Sequence, residues 1–333
     1  MTEKFHVVYA SDNSFAMQTG ISLLSLFKNN EDLELCIYIL TNEISSKNKT
    51  NFEEIAKGKK LHFIDVSKFL DEKIKNQGLA SYANAFAPYS RLCVEEVLPS
   101  DISKVLYLDG DTVVNGSLME LAQMDIENYS CAMAKDIRSE KHKRKIGLEN
   151  IYEFYNSGII LINLDYWRKH NVGNAVLNDI LHFPTEFPDN NALCRVLKGK
   201  IKTLPLSCNA TGMLRLFNNE SLYSIAFRSE TPFYSELELN EARESPIILH
   251  YVNYYLSGRP WFGDCFDSKG LSIWNFYFAK SPWANYAKPK KQYAGFKQTY
   301  VEITRILFSI LPQKLFIIFV VKFFEKVART FGK

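Results

Sequence analysis

The sequence predicts an α/β fold with a mostly parallel central sheet, and two observations carry that prediction. Short runs rich in Val, Ile, Leu and aromatic residues alternate with amphipathic, helix-length segments as far as Leu108. Strands separated by helices pair in parallel and need cover on both faces. Carboxylates also stand just past the first and fourth of these runs, at Asp12 and Asp109. Parallel sheets bind ligands beyond the carboxyl ends of their strands.

Each element has its own signal. "FHVVYAS" from Phe5 reads as the first strand. "SFAMQTGISLLSLFKN" has helical apolar spacing, with Ser14 as the N-cap. "ELCIYIL" is a second strand, and "SSKNKTNFEEIAKG" a helix closed by Gly58. "KLHFIDV" is a third strand, "YSRLCVEEVLP" a helix ended near Pro99, and "KVLYLD" a fourth strand. "CAMAKDI" and the charged loop "RSEKHKRK" follow. A strand is then expected from Ile159 to Leu164, a mainly helical stretch to about residue 245, and a short late strand ending near His250.

The chain has 333 residues, 47% hydrophobic and 23% charged, which suits one or two globular domains. Its N-terminus reads as the first strand rather than a leader. The six cysteines, Cys36, Cys93, Cys131, Cys194, Cys208 and Cys265, form no C-x-x-C pair and sit mostly beside apolar residues. They read as buried free thiols in a reducing compartment.

Charge is uneven. Residues 288–333 hold ten Lys or Arg against two Glu, while the rest of the chain is net negative. The apolar run Leu315–Val321 is far short of a bilayer span, and Pro312 divides the tail. Apolar faces flanked by cations suit a helix lying on an anionic membrane surface. The alternative is a C-terminal helix packed on the body or in a dimer. The expected division is a catalytic domain at 1–285 and basic amphipathic helices at 286–333. No nucleic-acid partner is expected.

The chemistry centres on "KVLYLDGDTVV", residues 104–114, which sets two carboxylates at the end of an apolar strand. One reading is a hard divalent cation bridging to a diphosphate, with the chain turning at Gly110 so that both carboxylates share a face. A second is the Asp-x-Asp of a haloacid-dehalogenase-type phosphatase, which normally sits on the first strand. A third is an exposed Asp-Gly turn.

Context separates these readings. In order along residues 5–262 stand "VVYASDNSF", "APYSRLCVEEVLP", "KVLYLDGDTVV", "YNSGIILINLDYWR" and "PIILHYV…GRPW". This ordered set resembles glycosyltransferase family 8, the retaining bacterial glucosyl- and galactosyltransferases of lipopolysaccharide and related glycans.

The resemblance implies a GT-A fold, with a Rossmann-like nucleotide-sugar-binding domain, and transfer of glucose or galactose from a UDP-sugar. Asp109, Asp111 and His250 would ligate Mn²⁺, or Mg²⁺, the histidine favouring Mn²⁺. Ala10, Ser11, Asp12 and Phe15 would cradle the uridine. Arg91 would reach the donor, and Gly110 would let it approach the backbone. Asp136, Asn156 and Ser157 would line the donor-sugar side, and Asn209, which matches a family asparagine after a Leu-Pro pair, would join the nucleotide-sugar-binding set. Arg259, where the family usually has Lys, would neutralise the leaving diphosphate. The family's Asp-Gln-Asp-x-Leu-Asn is here "DNNALC". Asp189 would then orient donor or acceptor and Asn190 would stand at the sugar's β face, while the second aspartate is Asn191. Cys208 stands in an aromatic position, and "YVNYYLSG" before Arg259 is longer and more aromatic than usual. The acceptor would be a growing, lipid-linked surface saccharide, and the enzyme would sit on the inner face of the cell membrane. The rivals are a family member that has lost activity and the phosphatase.

Overall fold

The computed structural model describes residues 4–79, 87–148, 152–217, 234–252, 258–263, 265–286 and 303–316 without 305 and 313. The first half is β1 (Phe5–Ala10), α1 (Ala16–Asn29), β2 (Leu35–Thr41), α2 (Ser46–Ala56), β3 (Lys60–Asp65), β4 (Lys104–Leu108), β5 (Thr112–Val114) and β6 (Cys131–Met133). The second is β7 (Ile159–Asn163), α3 (Leu164–His170), α4 (Val172–His182), α5 (Pro188–Val196), β8 (Ile201–Thr203), β9 (Ala210–Thr211), α6 (Glu236–Glu244), β10 (Ile248–His250) and α7 (Ser268–Phe278).

The main sheet runs β3-β2-β1-β4-β7-β6-β8. Its first four strands are parallel. β7 is antiparallel to both β4 and β6. That reversal matters for the site. The entrance of an antiparallel strand lies beside the exit of its neighbour, and Ile159 pairs with Leu108. The Asn156-Ser157-Gly158 segment therefore arrives next to Asp109. A smaller sheet, β5-β10-β9, continues from β4 after Gly110.

Alternate residues of each strand enter opposite cores, as period-2 side chains must. Val105 and Tyr107 pack on one face with Trp167, Val176 and Leu193. Leu106 and Leu108 pack on the other with Ile21, Leu23 and Trp274. Both faces are buried, so each buried Leu or Ile contributes about 1.5–3 kcal/mol. Five cysteines are buried, Cys265 is half-buried, and all six are free.

Several local expectations shift. Ser14 does not cap α1. Its hydroxyl and the Phe15 N–H both donate to Asp12 Oδ1, at 2.7 and 2.9 Å, and the helix begins at Ala16, one residue later than Ser14 would start it. The expected helix at 89–99 is mostly 3-10, with α geometry only at Val94–Val97. β7 stops at Asn163, one residue early, because the Asn163 side-chain Oδ1 accepts the Tyr166 N–H and caps α3. The C-cap of α2 is Lys57, held left-handed at φ 47°, with Gly58 following at φ 81°.

The described part of the tail has two faces. Leu307, Phe308 and Leu311 pack against a third core cluster, and Phe316 is fully buried in it. Ile303, Ile306, Ile310 and Leu315 are exposed. Among the described residues, no helix is long and apolar enough to cross a membrane.

Candidate active site

A cavity of about 300 Å³ opens at the carboxyl edge of the parallel strands. Its lining includes Asp12, Asp109, Asp111, Asp136 and Asp189 against Arg91, Arg138 and Arg259. Carboxylates outnumber guanidiniums, so a bound cation lowers the repulsion inside a low-dielectric pocket.

Asp109 follows β4 and Asp111 precedes β5, so the two carboxylates lie at the junction of the two sheets. Gly110 between them is steric: a Cβ there would meet Thr19 Oγ1 at 2.3 Å and the Phe15 ring at 3.0 Å. The Thr112 hydroxyl donates to Asp109 O at 2.8 Å, and the Tyr251 N–H to Asp111 O at 2.9 Å. β10 pairs antiparallel with β5, setting His250 opposite Thr112. His250 Nε2 thus lies 3.3 Å from Asp111 Oδ1 and 3.9 Å from Asp109 Oδ2.

These three residues offer ligand atoms all within 4.8 Å of one another. Ligands about 2.1 Å from an octahedral ion lie about 3 Å apart when adjacent and about 4.2 Å when opposite. Two oxygen donors and one imidazole at this spacing fit a hard or borderline divalent cation. Gly158 forms the floor: a Cβ there would meet His250 Cε1 at 2.2 Å and Asp109 Oδ2 at 2.9 Å.

The carboxylates are held in unequal states. Burial pushes Asp109 above its ordinary value; Arg91 pulls against it, and the Asp111 charge adds to the rise. Burial acts the same way on Asp111, but His250 and Arg259 overcome it and hold that carboxyl low. Arg259 lies 3.2 Å from Asp111 Oδ2, with its guanidinium over Trp261. Arg91, 4% exposed, lies 2.8 Å from Asp109 Oδ1 and 3.4 Å from Asp189 Oδ2, and donates to Ser157 O. The Tyr107 hydroxyl, kept protonated by burial, donates to Asp109 Oδ1 at 2.8 Å.

At the other end, Asp136 Oδ1 accepts the Ile137 N–H, and its Oδ2 lies 3.4 Å from Asn156 Nδ2. Asn190 Oδ1 accepts the Ser157 N–H at 2.7 Å while its Nδ2 donates to Tyr155 O at 2.9 Å. The amide is fixed at both ends.

The sequence-predicted residues Ala10, Asp12, Phe15, Arg91, Asp109, Gly110, Asp111, Asp136, Asn156, Ser157, Asp189, Asn190, His250 and Arg259 all line this cavity. Ser11 and Asn209 do not: both are buried behind it. Asn191 also lies off the cavity, 1% exposed, with its Nδ2 on Thr185 Oγ1. The Asp-to-Asn departure therefore removes no carboxylate from the lining. Residues 253–257 of the aromatic loop lie outside the described residues.

Tyr107, Arg138, Gly158 and Phe187 join the lining without having been singled out. Tyr107 shares a strand face with Asp109, and Gly158 closes Asn-x-Gly, so both had a readable signal. Arg138, whose guanidinium lies over Phe154 and Phe187, had none.

Residues 6–265 match Glycosyl transferase family 8. The chain belongs to that family. A putative glycosyltransferase of Haemophilus influenzae is 30% identical over 63% of this chain and 64% of its own length, so the chain spans about two thirds of that relative. The lipopolysaccharide glucosyltransferase WaaO of Escherichia coli is 25% identical over 84% of this chain and 79% of its own. Among solved structures, the galactosyltransferase LgtC, in complex with donor and acceptor sugar analogues, superposes with a TM-score of 0.70. It is 22% identical and is covered over 99% of its length by 84% of this chain. The fold is GT-A, as expected of family 8, and the Asp-x-Asp lies within the matched region.

Proposed function

We propose that this family 8 protein is a retaining hexosyltransferase. It moves glucose or galactose from a UDP-sugar to a growing surface saccharide, such as lipopolysaccharide or capsule, with Mn²⁺ or Mg²⁺ held by Asp109, Asp111 and His250. The observation that carries this is the convergence of those three side chains at the carboxyl edge of the sheet. Relatives named as lipopolysaccharide glucosyl- and galactosyltransferases support the substrate class.

When bound, the cation supplies Lewis-acid charge to the departing diphosphate. The chain's own residues do the rest. Ala10, Asp12 and Phe15 hold the uridine at the end of β1. Arg259 donates to the diphosphate and offsets the charge that grows there as the glycosyl bond breaks. Asp136, Asn156 and Ser157 hold the hexose, and Asp189 orients it. Asn190 Oδ1 has one lone pair taken by Ser157 N–H and offers the other to positive charge at the anomeric carbon.

The lipid-linked acceptor and the peripheral seat on the inner membrane face are part of this reading. Residues 286–333 would dock on anionic lipid, and the outward Ile303, Ile306 and Ile310 supply its apolar face. The family match leaves the phosphatase alternative without support.

The deciding experiment is acceptor-free hydrolysis of a UDP-sugar panel with Mn²⁺ and with chelator, on the wild type and Asp111→Ala. One sugar turned over, dependent on the ion and on Asp111, is the expected result. Absence of Mn²⁺-dependent UDP binding would overturn the reading. Tight binding with no turnover, even with saccharide acceptors added, would identify an inactive family member.

A further inference from the structure

Behind His250 lies a chain of amides whose donor and acceptor roles are fixed from one end. Asn156 Oδ1 sits 3.0 Å from the backbone nitrogen of Gly158, which can only donate. That contact sets the Asn156 amide with its oxygen inward and its Nδ2 toward the Asp136 carboxylate, an acceptor. The same Asn156 oxygen is 3.0 Å from the Asn209 side chain, which must therefore present Nδ2 to it. Asn209 then has only Oδ1 left for His250 Nδ1, 2.8 Å away. An acceptor at that distance requires the imidazole proton on Nδ1. In the neutral ring the lone pair is then on Nε2, the nitrogen that faces Asp109 and Asp111.

The backbone holds this chain in register. Asn209 ends the 3-10 turn Leu206–Asn209, and the next two residues form β9. β9 pairs parallel with β10, Ala210 with Leu249 and Thr211 with His250. Asn209 is 2% exposed and touches neither the cavity nor the carboxylate pair.

We propose that Asn209 is a positioning residue for the metal centre rather than a sugar contact. It fixes the His250 tautomer and ring orientation, and Asn156 ties that setting to Asp136 at the far end of the cavity. Metal affinity then depends on residues that touch no metal, the behaviour expected of groups that orient a ligating histidine. The proposal rests on the reading of Asp109, Asp111 and His250 as a cation site, and it can fail separately from it.

Two measurements on the full chain test it. The first is the ¹⁵N shift pattern of His250 in metal-free protein, followed with rising pH until both ring nitrogens report a neutral imidazole. The wild type should show the Nδ1–H tautomer alone. Asn209→Leu, which removes both hydrogen bonds, should show a mixture or Nε2–H. Asn209→Asp, which keeps the acceptor for His250, should retain Nδ1–H. The second is Mn²⁺ affinity in the presence of UDP. Asn209→Leu should weaken it about 10–100-fold and Asn209→Asp far less.

A wild-type Nε2–H tautomer overturns the proposal even if the leucine variant does not fold. So does an Asn209→Leu protein with unchanged tautomer and affinity. If the wild type binds no Mn²⁺, the cation reading falls, and the ¹⁵N pattern alone decides whether Asn209 sets His250.

Discussion

The Arg91 guanidinium lies 2.8 Å from Asp109 Oδ1 in a pocket where the arginine is 4% exposed. Its Nε reaches Asp189, 3.4 Å away, and another nitrogen takes Ser157 O. One planar fork thus fixes three segments that converge on the cavity. Arg91→Met would leave Asp109 and Asp189 without their buried partner, at a cost of about 3–5 kcal/mol in urea unfolding. Arg91→Lys should cost less stability, because charge remains, yet still depress UDP-sugar turnover, because an ammonium cannot serve three directions in one plane.

Gly158→Ala should separate metal binding from folding. The added methyl is aimed at the His250 ring and the Asp109 carboxylate. We expect Mn²⁺ affinity to fall at least about tenfold, with a smaller loss of thermal stability than a core cavity produces. Titration of Mn²⁺ followed by a melt of the same sample reads both.

Asn191→Asp restores the family's second carboxylate on paper. In the fold it adds a charge at a 1%-exposed position away from the cavity. His142, held below its ordinary pKa by burial and then by Arg138, would be neutral there at pH above 7 and would not compensate. The variant should lose on the order of 1–3 kcal/mol of stability and leave turnover per folded molecule unchanged. A rise in turnover would show that the side chain reaches substrate.

Glu95 gives the protein a pH dependence unrelated to catalysis. Its two oxygens accept the Val172 and Gly173 N–H groups at the start of α4. Burial pushes it up to about 7 against those bonds. An unfolded Glu titrates near 4.3. Between about pH 4.3 and 7 the folded chain therefore holds a proton that the unfolded chain has lost, so this group's contribution to stability falls as pH rises through the window and is flat above it. Glu95→Gln should flatten that dependence. Urea unfolding at about pH 5 and about pH 8 should show the wild type losing on the order of 1–3 kcal/mol more than the variant.

What the sequence made legible follows from what leaves a contiguous trace. β1, β2 and β4 were readable because strands buried on both faces are continuous apolar runs bounded by helices, and β3, the part-exposed edge strand, because its apolar residues Leu61, Phe63 and Ile64 still stand between helix signals. The reversed direction of β7 was not, because an apolar run carries no sign of which way it pairs. Asp109, Asp111 and His250 were found through local motifs. Arg138 and Phe187 were not, since each is a single side chain brought in by tertiary packing. Asn209 was expected among the nucleotide-sugar-binding residues, yet it lies a layer behind: the 3-10 turn before β9 points it at His250.

The turn at Gly110 has a wider consequence. Asp109 terminates one sheet and Asp111 opens another, while His250 comes from the strand that pairs with the second. An ion held by all three would act as a removable cross-link between the two sheets, closing a long stretch of chain much as a disulfide does, but reversibly and with no cysteine involved. Cofactor supply would then govern how firmly the two halves of the scaffold are joined, as well as whether the chemistry can run.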